Sequence, residues 1–350
     1  MGYNGAMGLL ETFLPADRPF LIAEAGVNHD GRLDRGLALV DAAAQAGADA
    51  VKFQTFRADA LATAGAGKAA YQAETTGGGG QLAMLRGLEL SEDAHRALAS
   101  RCRERGLLFL STPFDEESAD LLERLDVPLF KLASPDVTNH PLLEHVGRKG
   151  RPVILSTGMS TLEEVAAAVE ALRRAGASEL ALLHCVSSYP AEPAEANLRA
   201  MATLARAFGV PVGWSDHTMG TAVAVAAAAL GARIIEKHFT LDRGLPGPDH
   251  RISLEPPELK ALSGALREAA AALGDGVKAP RPCEADVRRA SRRSIVLAAD
   301  AAAGTSLTRE MLAFKRPAGG LPPSRLAEVL GRRLARGMRA EEPLSLDCFE

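Results

Sequence analysis

Residues 210–239 read VPVGWSDHTMGTAVAVAAAALGARIIEKHF. Two short apolar runs, Val210–Ser215 and Arg233–Phe239, flank a segment dominated by Ala and Val. Neither run alternates polar with apolar residues, so each predicts a strand buried on both faces, as in a parallel sheet. The segment between them, Met219–Leu230, is long enough for a crossover helix, and Gly231 supplies a left-handed stop. Six more such runs precede it: Phe20–Val27, Ala50–Phe56, Leu107–Thr112, Leu129–Ser134, Val153–Thr157 and Leu180–Val186. Helices are predicted over Arg32–Ala46, Ser91–Arg105, Asp115–Leu125 and Thr161–Ala175, with capping residues at Ser91 and Ser160-Thr161 and glycines at 47, 106 and 176. Eight strand–helix units in series predict an α/β fold, a closed (β/α)8 TIM barrel, with an open doubly wound sheet as the alternative.

Two segments break the rhythm. Residues 57–90, with Gly77–Gly80, form a long insertion after the second strand and a candidate lid. Residues 275–290, with Gly276, Pro280 and Pro282, read as a linker. The predicted organisation is a catalytic barrel over 1–274, the linker, and a small β-rich module over 291–350 with one short helix near Ser324–Leu330.

The chain of 350 residues has 47% hydrophobic residues and a net charge of −4, which argues against nucleic acid as a partner. Residues 281–350 carry 13 Lys/Arg against 9 Asp/Glu, a mild excess that reads as a solvated surface or as a face toward an anionic site. The cysteines 102, 185, 283 and 348 are scattered, as expected of a reduced, cytoplasmic protein. The first twenty residues lack the basic-then-apolar pattern of a signal peptide, and the apolar run 219–231 is too short for a bilayer, so no membrane partner is expected.

Every predicted strand ends in polar residues: Glu24, Lys52 and Gln54, Thr112, Lys131 and Ser134 (then Asp136), Ser156, His184 and Ser188, Ser215 and His217, Glu236 and His238. In a barrel these ends surround the active site. The two-residue period puts Lys52 with Gln54, Ser215 with His217, and Glu236 with His238 on common faces. His217 and His238 on neighbouring strands suit a divalent metal, Mn²⁺, Fe²⁺, Zn²⁺, Co²⁺ or Mg²⁺; the plain alternative is a pair of hydrogen-bonded core histidines. Lys52 and Lys131, with the Ser134, Ser156 and Ser215 hydroxyls, suit phosphate and carboxylate groups. Ion pairing with Glu24 or Asp136, and a Schiff-base lysine, stay open.

The stretches IAEAGVNHDG (22–31), VKFQTF (51–56), STPFD (111–115), ILSTGM (154–159), LLHCVSSYP (182–190), WSDHT (214–218), EKHFT (236–240) and PGPDHRISLEP (246–256) resemble the sialic acid (N-acetylneuraminate) synthase family. KRPAGGLPP (315–323) resembles that family's C-terminal antifreeze-like (SAF) domain. The resemblance implies condensation of phosphoenolpyruvate with the open-chain aldehyde of N-acetylmannosamine or a related N-acyl amino sugar. Phosphate is released and a nine-carbon 2-keto-3-deoxy sialic acid results. The alternatives within it are legionaminic and pseudaminic acid synthesis. It further implies His217 and His238 as ligands of a divalent metal, with Mn²⁺ ranked ahead of Mg²⁺ or Co²⁺. Lys52, Thr112, Lys131, Ser134, Ser156, Ser187 and Ser215 look like the phosphoenolpyruvate pocket, although the family often has Asn at the position of Ser187. Glu24 looks like the residue that manages protons. Gln54, Tyr189 and Asp249 look like sugar contacts. Arg316 looks like a residue inserted into the other subunit's site, hence a domain-swapped homodimer. Where many members read Ser-Gly-Glu, this chain has Ser134-Pro135-Asp136, a change beside the sugar. Outside this chemistry stand a metal-independent Schiff-base aldolase and a non-catalytic sugar-binding protein.

Overall fold

All eight apolar runs are strands: β1 Phe20–Gly26, β2 Ala50–Thr55, β3 Leu108–Pro113, β4 Phe130–Leu132, β5 Val153–Ser156, β6 Leu180–Cys185, β7 Val212–Asp216 and β8 Ile234–His238. This computed structural model describes residues 9–350. Seven ladders are parallel, in the order β3-β2-β1-β8-β7-β6-β5-β4. First and last strands pair, with Glu24 opposite both Lys52 and His238. β3 packs against β4. An open doubly wound sheet would leave its outer strands apart, so the barrel is the observed fold.

The interior is layered. Ile22, Ala50, Leu110, Leu129, Ile154, Leu183 and Ile234 form an apolar lower layer, plugged from below by Leu10 and Leu14. Gly213 belongs to this layer because a Cβ there would lie 2.3 Å from the Ile234 carbonyl oxygen. Two residues further along, the inward positions of seven strands turn polar: Glu24, Lys52, Thr112, Lys131, Ser156, Ser215 and Glu236, all buried, while β6 presents Cys185. The opposite faces carry Val51, Phe53, Phe130, Leu155, Leu182, Trp214 and Ile235 into a second core against the helices.

The predicted helices occur at Leu33–Ala46, Glu92–Glu104, Glu116–Arg124, Leu162–Ala175 and Ala222–Ala229. Thr161 and Glu164 form a reciprocal capping box. His140–Gly147, Ala200–Phe208 and Pro256–Leu273 are helices not foreseen. Two of these start with Pro in the first turn, where its missing N–H is harmless. The insertion contains three short helices, Ala58–Leu61, Ala70–Thr76 and Gln81–Arg86.

The chain divides at Gly274/Asp275 into two units. The stretch read as a linker groups with the second unit and contains part of a short helix, Ala285–Ser291. That unit has an antiparallel pair, Ser294–Leu297 with Leu312–Lys315, and its own core around Ile295, Leu297, Leu334 and Leu344. The helix expected near Ser324–Leu330 is a 3₁₀ segment, Pro323–Glu328, kinked at Arg325. None of the four cysteines is paired. Among the described residues no helix is long and apolar enough to cross a membrane. The first eight residues, part of the stretch read as lacking a leader, lie outside the described residues.

Candidate active site

A cavity of about 330 Å³ opens at the C-terminal ends of the strands, where barrel enzymes hold their substrates. Its lining includes Glu24, Lys52, Gln54, Thr112, Lys131, Ser134, Asp136, Ser156, Tyr189, Ser215, His217, His238 and Asp249. These thirteen and Glu236 thus face one space, whereas the strand-end residues His184 and Ser188 are not among its lining. Ser187 lies beside it: a Cβ on Gly158 would sit 2.3 Å from the Ser187 Oγ and 3.0 Å from the Ser134 Oγ. Gly158 is therefore what lets the β5 loop approach these hydroxyls, and its N–H donates to Ser134 Oγ at 2.9 Å. Arg316 is an exposed residue of the second unit.

The floor is a four-charge cluster. Lys52 Nζ lies 3.0 Å from Glu24 Oε1 and 3.6 Å from Glu236 Oε2; Lys131 Nζ lies 3.6 Å from the same Glu236 oxygen. Lys52 also donates to Thr112 Oγ1 at 3.1 Å, and Lys131 to Ser156 Oγ at 2.7 Å. Ser215 Oγ donates to Glu236 Oε1 at 2.8 Å. Burial opposes the charge on Glu236, but Lys131, Lys52 and the Ser215 hydroxyl outweigh it and hold the carboxylate ionised. Burial and the neighbouring Glu236 push Glu24 the other way, above the usual carboxyl range, against Lys52. Burial also lowers Lys131, with Glu236 opposing and Lys52 repelling it. One certain carboxylate among two ammonium groups leaves the floor attractive to an anion. Glu24 Oε2 and Glu236 Oε2 are buried without a hydrogen-bond partner among the described residues. A native core leaves few such atoms, and these two face the cavity.

Above the floor the rings of His217 and His238 stand 5.5 Å apart. His217 Nδ1 is 2.7 Å from the Val186 carbonyl oxygen. A carbonyl only accepts, so Nδ1 carries the proton and Nε2 keeps its lone pair. His238 Nδ1 is buried and unpartnered among the described residues. Burial lowers the pKa of both rings, which favours the neutral, metal-ligating form. Two neutral imidazoles this close fit one divalent cation. Among the described residues no third His, Cys, Asp or Glu joins them in a metal-binding group, so substrate and water would complete the coordination.

Asp136 and Asp249 also line the cavity, each raised by burial to about 6. Asp136 Oδ2 has no partner among the described residues. Tyr189 packs its ring 4.3 Å from that of His217. Two contributions escaped the sequence reading. Glu236 was placed inward with His238 but given no role, although the alternation along β8 carried the signal. The insertion, read as a candidate lid without any residue of it being named, supplies Tyr71, Gln72, Gln81, Met84 and Leu85 to the lining, and nothing in its sequence period points to these.

The NeuB family model matches residues 39–278 and the SAF domain model residues 292–350. The chain is 45% identical over 336 residues to the N,N'-diacetyllegionaminic acid synthase of Legionella pneumophila, covering 95% of this chain and 94% of that one. It is 43% identical to the enzyme of the same name from Campylobacter jejuni, covering 93% and 98%. The crystal structure of an N-acetylneuraminic acid synthetase from Leptospira borgpetersenii superposes with a TM-score of 0.69 at 36% identity, covering 78% and 92%.

Proposed function

The chain belongs to the NeuB family, and from that premise we propose that it joins phosphoenolpyruvate to a diacylated amino-sugar aldehyde, giving a sugar acid of the N,N'-diacetyllegionaminic type. The observation that carries the chemistry is the floor: two buried ammonium groups facing a cavity between carboxylates that each keep an oxygen without a hydrogen bond among the described residues. The acceptor follows the relatives at 45% and 43% identity. N-acetylmannosamine, put first by the sequence motifs, becomes the second reading, supported by the 36% identical synthetase.

Lys52, Lys131 and the hydroxyls of Thr112, Ser134, Ser156 and Ser215 hold the phosphate and carboxylate of phosphoenolpyruvate, with Ser187 adjoining. Its methylene carbon attacks the aldehyde carbon to form the C–C bond. Water adds at C2, and the bond from C2 to the bridging oxygen breaks, so phosphate leaves with that oxygen. Glu24, held near neutrality by its surroundings, accepts and returns protons at this carbon. Gln54, Tyr189, Asp136 and Asp249 orient the sugar. A divalent cation on His217 and His238, Mn²⁺ first and Mg²⁺ or Co²⁺ after it, would polarise the aldehyde oxygen.

The test is phosphate release from phosphoenolpyruvate with a diacetamido sugar, a 6-deoxy monoacetamido sugar and N-acetylmannosamine as acceptors. A kcat/KM highest for the diacetamido sugar supports the reading; a preference for N-acetylmannosamine moves the protein to the second. Turnover undiminished in excess chelator removes the metal, and a borohydride-trapped adduct on Lys52 or Lys131 replaces the mechanism with a Schiff base. The resemblance adds a cytoplasmic homodimer in which Arg316 acts on the other subunit's barrel. Pairing a His217→Ala barrel with an Arg316→Ala chain tests this: activity recovered in the heterodimer requires the arginine in trans, and none recovered abandons it.

A further inference from the structure

The cavity has two chemistries. Its floor is charged, whereas the insertion over 57–90 brings only neutral side chains to the lining, among them Leu61, Tyr71, Gln81, Met84 and Leu85. That wall offers no charge to pair with a phosphate or a carboxylate, so it faces the uncharged part of whatever binds.

The wall is anchored at one place. The Tyr71 ring stacks on Tyr189 with centroids 5.0 Å apart and planes 26° from parallel, and Tyr189 packs in turn on His217. Tyr71 is largely buried, and burial together with the Asp249 carboxylate keeps its phenol protonated. Beside it, Gln72 makes three side-chain hydrogen bonds. Its Oε1 accepts from the Ala69 N–H at 3.1 Å and from Gln81 Nε2 at 3.4 Å, and its Nε2 donates to the Tyr71 hydroxyl at 3.3 Å. Among the described residues the Gln81 side-chain amide makes no other hydrogen bond, which leaves capacity to donate and to accept. An amide next to Met84 and Leu85 is the complement of an N-acyl group, which offers a carbonyl acceptor, an N–H donor and a methyl. A hydroxyl or hydroxymethyl in its place would leave the apolar side unfilled.

We propose that the 57–90 insertion reads the acceptor: Tyr71 positions the sugar against Tyr189, and Gln81, Met84 and Leu85 seat its second N-acyl group. This rests on the proposed function above. It makes the insertion the element that discriminates diacylated from monoacylated sugars, while the floor treats both alike.

The test compares kcat/KM for the diacetamido sugar and N-acetylmannosamine in the full-length protein and in Gln81→Leu, Leu85→Ala and Tyr71→Phe. One methyl-sized contact in an apolar pocket is worth roughly 10–200-fold in discrimination. Gln81→Leu and Leu85→Ala should each lower the diacetamido preference at least about tenfold, with KM for phosphoenolpyruvate within about twofold. Tyr71→Phe keeps the stack and loses the hydroxyl, so it should raise KM for both sugars and leave their ratio alone. A preference unchanged in both Gln81→Leu and Leu85→Ala overturns the inference. So does a rise in KM for phosphoenolpyruvate that matches the rise for the sugar, because the insertion would then support only the cavity's general shape. A wild-type protein that turns over neither sugar with phosphoenolpyruvate overturns the proposed function and this inference with it. A wild type that favours the diacetamido sugar beside insensitive variants overturns the inference alone.

Discussion

Strands β7 and β8 bury ions on both faces, and the two faces handle them differently. Outward, Lys237 pairs with Asp216 at 2.9 Å, and both side chains are wholly buried. Lys237 also donates to the Thr218 carbonyl, while the second Asp216 oxygen accepts from Thr218 N at 2.9 Å and Thr218 Oγ1 at 2.8 Å. Both Asp216 oxygens are used, so the pair closes on itself and ties the two strand ends together. Inward, Glu24 and Glu236 each keep an oxygen with no hydrogen-bond partner among the described residues. A closed ionic circuit is architecture; an open one waits for a ligand. On β8 adjacent residues, Glu236 inward and Lys237 outward, serve the two because alternate residues face opposite ways, and β1 adds Glu24 to the inward set.

The contrast can be broken from either side. The largest effect should come from the open circuit: Glu24→Gln should lower kcat by about 10²–10⁴-fold, the range of a lost acid–base group. Stability should change little, because the raised pKa of Glu24 makes a neutral amide a close substitute. Denaturant titration beside steady-state kinetics reads both. The closed circuit should behave oppositely. Lys237→Met strands Asp216 in the core and should cost about 3–5 kcal/mol, whereas Asp216→Leu with Lys237→Met should recover most of that loss. A double variant as unstable as the single would show that the pair is needed for folding itself.

Two smaller effects sharpen the inward side. Gly158→Ala would press a methyl against Ser187 and Ser134 and should cost about 1–3 kcal/mol of phosphoenolpyruvate binding, read as KM. The smallest concerns pH. Asp136 titrates near 6 because burial disfavours its charge, opposed by the Asn139 amide. Above that pH it is ionised and accepts sugar hydroxyls; below it the carboxyl is neutral. KM for the sugar should therefore rise up to about tenfold per unit as pH falls below 6, and Asp136→Asn should flatten that limb. For stability the sign is reversed. A raised carboxyl pKa favours the folded state below the ordinary value of 3.8 and loses that contribution as pH rises through 6.

The barrel was legible because a strand buried on both faces writes itself as a short unbroken apolar run, and eight of them leave little choice of fold. The floor was legible for a related reason: a Lys at an inward strand end is costly unless something uses it. Glu236 was visible in position but not in role, since only the distances to Lys52 and Lys131 reveal that it is shared between them. Tyr71 was not legible at all. It sits in a two-turn helix, Ala70–Thr76, too short to show a period, and its neighbour Tyr189 is more than a hundred residues away. Helices Ala200–Phe208 and Pro256–Leu273 were missed although each carries a local signal, an amphipathic face ending at the left-handed Gly209 in the first and Pro in the first turn of the second.

Pairing of the first strand with the last has a consequence for synthesis. Glu24 enters the growing chain more than two hundred residues before His238, its partner across the ladder. At about 5–20 residues per second the ribosome takes roughly 10–45 s to bridge that gap. Throughout that interval β1 lacks its β8 neighbour, and the charged floor lacks Glu236. A chain terminated before β8 would release an unclosed sheet carrying buried-type lysines in water. Such fragments would be substrates for quality control before they could act as slow enzymes.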